Sequence, residues 1–158
     1  MSSSTSAYAE LAVTTNFSFL RGASHPDEMV ATAAALNLFA IGIADRNSFA
    51  GVVRAYDEAR KQNVRLVVGV RLATVDGFEV LAYPTDRTAY GRLCRLLTAG
   101  NLKAKKGECH LTFEEIVAAS EGQMLIALPT LSSPAKAGEG DRAQRGGGGA
   151  RLDEILAT

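Results

Sequence analysis

The chain has 158 residues, 47% of them hydrophobic and 22% charged, which is one domain's worth and ordinary for a soluble globular protein. Seventeen basic residues balance seventeen acidic ones, so only a local patch could mark a nucleic-acid partner. No apolar run approaches the ~18–20 residues that span a bilayer, and the polar start at residues 1–7 lacks the basic and apolar regions of a secretory signal, which makes the cytoplasm the default location.

Short apolar runs alternate with helical stretches, a pattern that predicts an α/β layer architecture with mostly parallel strands and flanking helices. Residues 10–14 read as a first strand. Ser24-His-Pro-Asp27 opens a helix, with Ser24 or His25 near the cap, Pro26 in the first turn, and Asp27 and Glu28 at the positive helix end. That helix runs through Met29, Val30, Ala33, Ala34 and Leu36 and stops at Asn37. The continuous apolar run 39–44 predicts a buried parallel strand. A helix should follow Ser48, with Val52, Val53, Tyr56 and Ala59 along one face.

Residues 65–72 predict the third strand, and Asp76-Gly77 signals a hairpin into a strand over 78–83. Thr85-Asp86 caps the next helix, whose apolar stripe is Tyr90, Leu93, Leu96 and Leu97, with Gly100-Asn101 closing it. Thr112-Phe-Glu-Glu115 is a capping box for a short helix, and 124–128 is the last strand, stopped by Pro129. Beyond it the composition turns to Ser, Pro, Gly and charge, ending in the run Gly146–Gly149. Such sequence cannot bury enough apolar surface to offset chain entropy. The expected organisation is a flexible tail over 1–7, a domain over 8–130 and a disordered tail over 131–158.

Three segments carry a family resemblance: residues 8–26, Ile41-Gly-Ile-Ala-Asp-Arg-Asn-Ser48, and Leu66-Val-Val-Gly-Val-Arg-Leu72. Together with 90–97 and 101–109, they resemble the amino-terminal PHP domain of bacterial error-prone DNA polymerases. The resemblance covers roughly Tyr8 to Pro129. It implies a partial PHP-type (β/α) barrel, in which strand ends normally present His, Asp and Glu to a cluster of metal ions that activates water against a phosphoester.

Carried over position by position, that metal site is mostly lost. The His-x-His pair of the first motif falls on Ala12 and Thr14. The Thr-Asp-His of the second is Ala44-Asp45-Arg46, and the expected glutamate of the third is Arg71. One carboxylate cannot hold two or three divalent cations, and the arginines repel them. No metal or other cofactor is therefore expected. Guanidinium groups could supply the missing positive charge, with Asp45 pairing to Arg46 or Arg71 and Glu10 a weaker candidate partner.

Other chemistry-bearing residues read as structural. His25 is expected at a helix cap, and His110 beside Cys109 has no further ligand pair within reach. Cys94 lies in an apolar stripe, and the two cysteines lack metal or CxxC spacing, so free thiols are favoured over a disulfide. Phe17 and Phe19 are assigned to packing rather than base stacking, and Tyr8 with them. Lys103, Lys105 and Lys106 form a solvated basic loop, with contact to a phosphate backbone or an acidic partner as the alternative. Gly146–Gly149 lacks the setting of a phosphate cradle.

The resemblance places the chain in a family of DNA-directed DNA polymerases, nucleotidyltransferases that act in replication, DNA-damage repair and translesion synthesis. The palm carboxylates of that chemistry are absent from this chain, which leaves a structural and docking role. The implied partners are the polymerase body, the sliding clamp and mutagenesis proteins, with direct DNA contact weak and no membrane. The alternatives are a stand-alone PHP-class metal-dependent phosphoesterase and a non-catalytic module that binds a polymerase partner. An uncovered sheet edge predicts weak stability or self-association when the chain is alone.

Overall fold

A computed structural model describes residues 8–129; the expected tails over 1–7 and 131–158 lie outside the described residues. Five strands form one sheet in the order β1-β2-β3-β4-β5. They are β1 (Ala9–Val13), β2 (Ala40–Arg46), β3 (Arg65–Ala73), β4 (Glu79–Pro84) and β5 (Gln123–Leu128). β1, β2 and β3 pair in parallel, while β3–β4 and β4–β5 pair antiparallel. Four of the five strands therefore run the same way, as the alternating pattern predicts. The helices are α1 (Pro26–Ala35), α2 (Val52–Gln62), α3 (Arg87–Leu102) and α4 (Phe113–Ala118).

The sheet curls into a half-barrel, and one hydrogen bond shows how far. The Tyr83 hydroxyl on β4 donates to the Leu11 carbonyl on β1, although β2 and β3 lie between these strands. Its ring crosses β3 where Gly69 has no side chain; a Cβ there would stand 2.4 Å from the Tyr83 ring. Ala44, Leu81 and Tyr83, with Leu11, Val67 and Leu128 against them, fill this concave side.

The convex side carries the helices. Val30 and Ala33 of α1 and Ala55 and Ala59 of α2 pack on Ile41 and Ile43. Leu93, Leu96 and Leu97 of α3 pack with Val70, Leu72, Val80, Leu111 and Ile116. Strand alternation explains the division: Ile41 and Ile43 face the helices, and Ala44 faces the concavity.

Local signals account for most element ends. The Glu28 carboxylate accepts from the backbone N–H of His25, the N-cap of α1, at 2.9 Å. Asp86 caps α3 by accepting from Ala89 N–H at 2.7 Å, and the Thr112–Glu115 box opens α4. Gly77 takes φ +88° in the β3–β4 hairpin, a conformation glycine adopts without strain.

Two expectations need correction. Val53 and Tyr56 are exposed, and α2 buries Ala55 and Ala59 instead; those alanines let the helix approach the sheet closely. Gly100 does not end α3, which continues to Leu102. A Cβ at Gly100 would meet Leu111 and Cys109 at 2.6 and 2.7 Å, so this glycine serves the close passage of the 109–111 segment.

Candidate functional site at the strand ends

The concave face gathers charge where β2 and β3 end. Arg46 and Arg71 are register partners on neighbouring parallel strands, so their side chains emerge side by side on one face. Two like charges there need a counter-charge, and Glu79 provides it from the antiparallel neighbour. It opposes Ala73, two residues beyond Arg71. Glu79 pairs with Arg46, and at 3.6 Å with both Arg71 and Arg21. Three guanidiniums thus share one carboxylate, and the group keeps a surplus of two positive charges. The buried Nε of Arg71 has no hydrogen-bond partner among the described residues.

Asp45 takes no part in this cluster, which corrects the expected pairing with Arg46 or Arg71. It lies between Ala44 and Arg46 on β2 and so points to the opposite face. There it is buried to 1% exposure. Its carboxylate accepts from Thr15 N–H and Thr15 Oγ1, both at 2.8 Å, and from Ser18 Oγ at 2.7 Å. Ser18 Oγ in turn accepts from Arg46 N–H at 2.9 Å. Gly51 closes over the pocket; a Cβ there would stand 2.7 Å from Asp45 Oδ2. Asp45 is a staple for the loop after β1.

Glu10 is also no partner of the arginines. Its carboxylate accepts from Ala12 N–H at 3.0 Å and from the Tyr8 hydroxyl at 2.8 Å. The Ala12 N–H first, and Tyr8 second, hold its carboxyl below the ordinary glutamate range.

Ala12 is half-buried against the Leu81–Tyr83 cluster, and Thr14 follows the end of β1. Ala12, Thr14, Arg46 and Arg71 supply no metal ligand, and Asp45 is turned away with its lone pairs engaged. The residues present do not fit a metal cluster. Among the described residues no group of three or more His, Cys, Asp or Glu is placed to hold an ion.

Beside the arginines lies an open groove of about 870 Å³. Its walls include Arg21, Arg46 and Asn47 from the strand-end side and Lys105, Lys106 and His110 from the α3–α4 connection. Asn47 extends the β2–β3 ladder with its side chain, accepting from Ala73 N–H at 2.9 Å and donating to the Ala73 carbonyl at 3.2 Å. The expected basic loop splits in two. Lys105 and Lys106 line the groove, whereas Lys103 pairs with Glu115, which lies below its ordinary range because of Lys103 first and Thr112 N–H second.

Phe17 and Phe19 line the same groove and are not core: Phe19 is 84% exposed. Tyr8 is exposed as well. His110 is exposed and its Nε2 lies 3.3 Å from Glu108. Cys94 and Cys109 are free thiols, and burial pushes Cys109 up.

A curled, mostly parallel sheet with helices on its convex side and charged side chains gathered at the strand ends of its concave face defines an α/β half-barrel. The chain belongs to the PHP domain family, whose model matches residues 10–157. It is 58% identical over 123 residues to an error-prone DNA polymerase of Caulobacter vibrioides, covering 77% of this chain and 11% of that protein. It is 56% identical over 128 residues to an error-prone DNA polymerase of Rhodopseudomonas palustris, covering 78% and 12%. With that of Bradyrhizobium diazoefficiens it shares 51% over 144 residues, covering 84% and 12%. The chain therefore spans about a tenth of the length of the relatives it matches.

Among solved structures, a protein from Bifidobacterium adolescentis named for a metal-dependent phosphoesterase activity superposes with a TM-score of 0.67 at 18% identity. That match covers 96% of this chain and 75% of the other. An amidohydrolase from Chromobacterium violaceum matches with a TM-score of 0.52 at 20% identity, over 61% and 34%. At these identities the likeness is one of fold.

Proposed function

We propose that this chain is the amino-terminal PHP segment of an error-prone, translesion DNA polymerase of the cytoplasm, with a structural and docking role in DNA replication and repair. The observation that carries this reading is Glu79 with its three arginines. A strand-end position that would need ligands for divalent cations holds a cross-linked, cationic cluster instead. Positive charge is then permanent and requires no metal. The domain contributes shape and contact surface, and nucleotidyl transfer belongs to a polymerase body. The sliding clamp and mutagenesis proteins are the further partners of that assembly.

A chimera tests this. The Caulobacter vibrioides polymerase, with its matching segment replaced by residues 8–129 of this chain, is expected to fold and extend a primed template. A folded chimera that shows a new metal-dependent phosphoesterase activity argues for the stand-alone enzyme. A folded chimera that binds but does not support synthesis favours a separate module that docks on a polymerase.

A further inference from the structure

The groove at the strand ends combines two features that a purely structural surface does not need. One is excess positive charge. Arg21 and Arg46 share a single carboxylate with Arg71, and Lys105 and Lys106 line the same groove, against one lining carboxylate, Glu108. The other is aromatic. Phe17 and Phe19 stand on the same wall, with Phe17 at 39% and Phe19 at 84% exposure.

The loop that carries these rings is held firmly. Ser18, between them, is buried and bonded to Asp45 and to the Arg46 N–H. Backbone bonds from Ser18 N–H to Thr15, and from Arg21 and Gly22 N–H to Ser18, close the turn. Exposing two phenyl rings to water on a rigid loop forgoes hydrophobic stabilisation, and a π-face beside cations suits a particular ligand.

The geometry points to a binding site for single-stranded nucleic acid. Lys105, Lys106, Arg21 and Arg46 contact backbone phosphates, and the rings of Phe17 and Phe19 stack on unpaired bases. A duplex hides its base faces from such rings, and an acidic peptide would use the cations but leave the rings in water. The volume of about 870 Å³ suits a small number of nucleotides, since pockets for small ligands run to about 300–1,000 Å³. The site rests on this groove alone, and it stands whether or not the chain docks on a polymerase.

The test is fluorescence anisotropy of a short fluorescein-labelled oligothymidylate with the full 158-residue chain at about 50 mM salt. Binding is expected. Phe19→Ala should weaken it by at least about fivefold, the low end for one lost base stack. The pair Lys105→Ala/Lys106→Ala should lower the salt slope by about 1.4, at ~0.7 for each phosphate contact to a single strand. All three side chains are exposed, so thermal melts should be unchanged, and Arg54→Ala on α2 should leave affinity unaltered. Absence of binding, binding indifferent to both variants, or equal displacement by polyglutamate or inorganic phosphate would overturn the assignment.

Discussion

Ser18 ties the loop after β1 to the end of β2: its hydroxyl donates to Asp45 Oδ1 at 2.7 Å, and the same oxygen accepts the Arg46 backbone N–H at 2.9 Å. Through this contact the acid of the second PHP motif positions the loop after β1. Asp45→Ala would strand the Thr15 N–H and two hydroxyls in a buried site, at a cost of about 3 kcal/mol. Asp45→Asn should cost less, about 1–2 kcal/mol, because its carbonyl still accepts. Urea melts of the two variants check the ordering. Equal stability to the unmodified chain would mean that the staple carries nothing.

Glu79 is the counter-charge that lets Arg46 and Arg71 stand side by side. Glu79→Gln should destabilise the domain by roughly 1–3 kcal/mol, between the values for exposed and buried pairs. Replacing Arg71 with Met in the Glu79→Gln background should recover part of that loss. A double-mutant cycle with no coupling between positions 71 and 79 would contradict the cluster.

Tyr83 should give the stability curve an alkaline limb. Burial first, against an opposing effect of Arg71 and a smaller reinforcing one of Glu10, pushes its phenol from 10.0 up to about 12. A raised pKa means that its contribution is intact below pH 10 and is lost as pH rises towards 12. Tyr83→Phe should cost about 1 kcal/mol at neutral pH by orphaning the Leu11 carbonyl, and should flatten the alkaline limb. Thermal melts across pH 8–12 show whether it does.

Gly69→Ala probes the same strap from below. Its new Cβ would collide with the Tyr83 ring, and overpacking of this kind costs about 1–3 kcal/mol. The penalty should shrink when Tyr83 is Leu, which leaves the space free. An equal penalty in both backgrounds would place its cause in the backbone of β3.

Most of the fold was legible in the residues, because the pattern of apolar runs, the Asp76-Gly77 turn and the caps at His25, Asp86 and Thr112 are local signals. The cluster at the strand ends was only half legible. Arg46 and Arg71 are recognisable from the motif, yet a pairing of Asp45 with them ignores strand alternation, which sends adjacent side chains to opposite faces. Glu79 stands in no motif, although the hairpin implies its place: folding 78–83 back from Gly77 brings Glu79 opposite Ala73 and within reach of Arg71. Phe17 and Phe19 misled for a different reason. Their alternation with Ser18 resembles a strand, but the segment is a tight turn whose buried member is Ser18.

We propose that a fixed cationic cluster replaces metal chemistry at the strand ends of this PHP domain. Hydrolysis of bis-p-nitrophenyl phosphate by the purified chain with added manganese tests this. No phosphodiester turnover above buffer is predicted. Manganese-dependent turnover that co-elutes with the folded chain on gel filtration would show that metal chemistry persists.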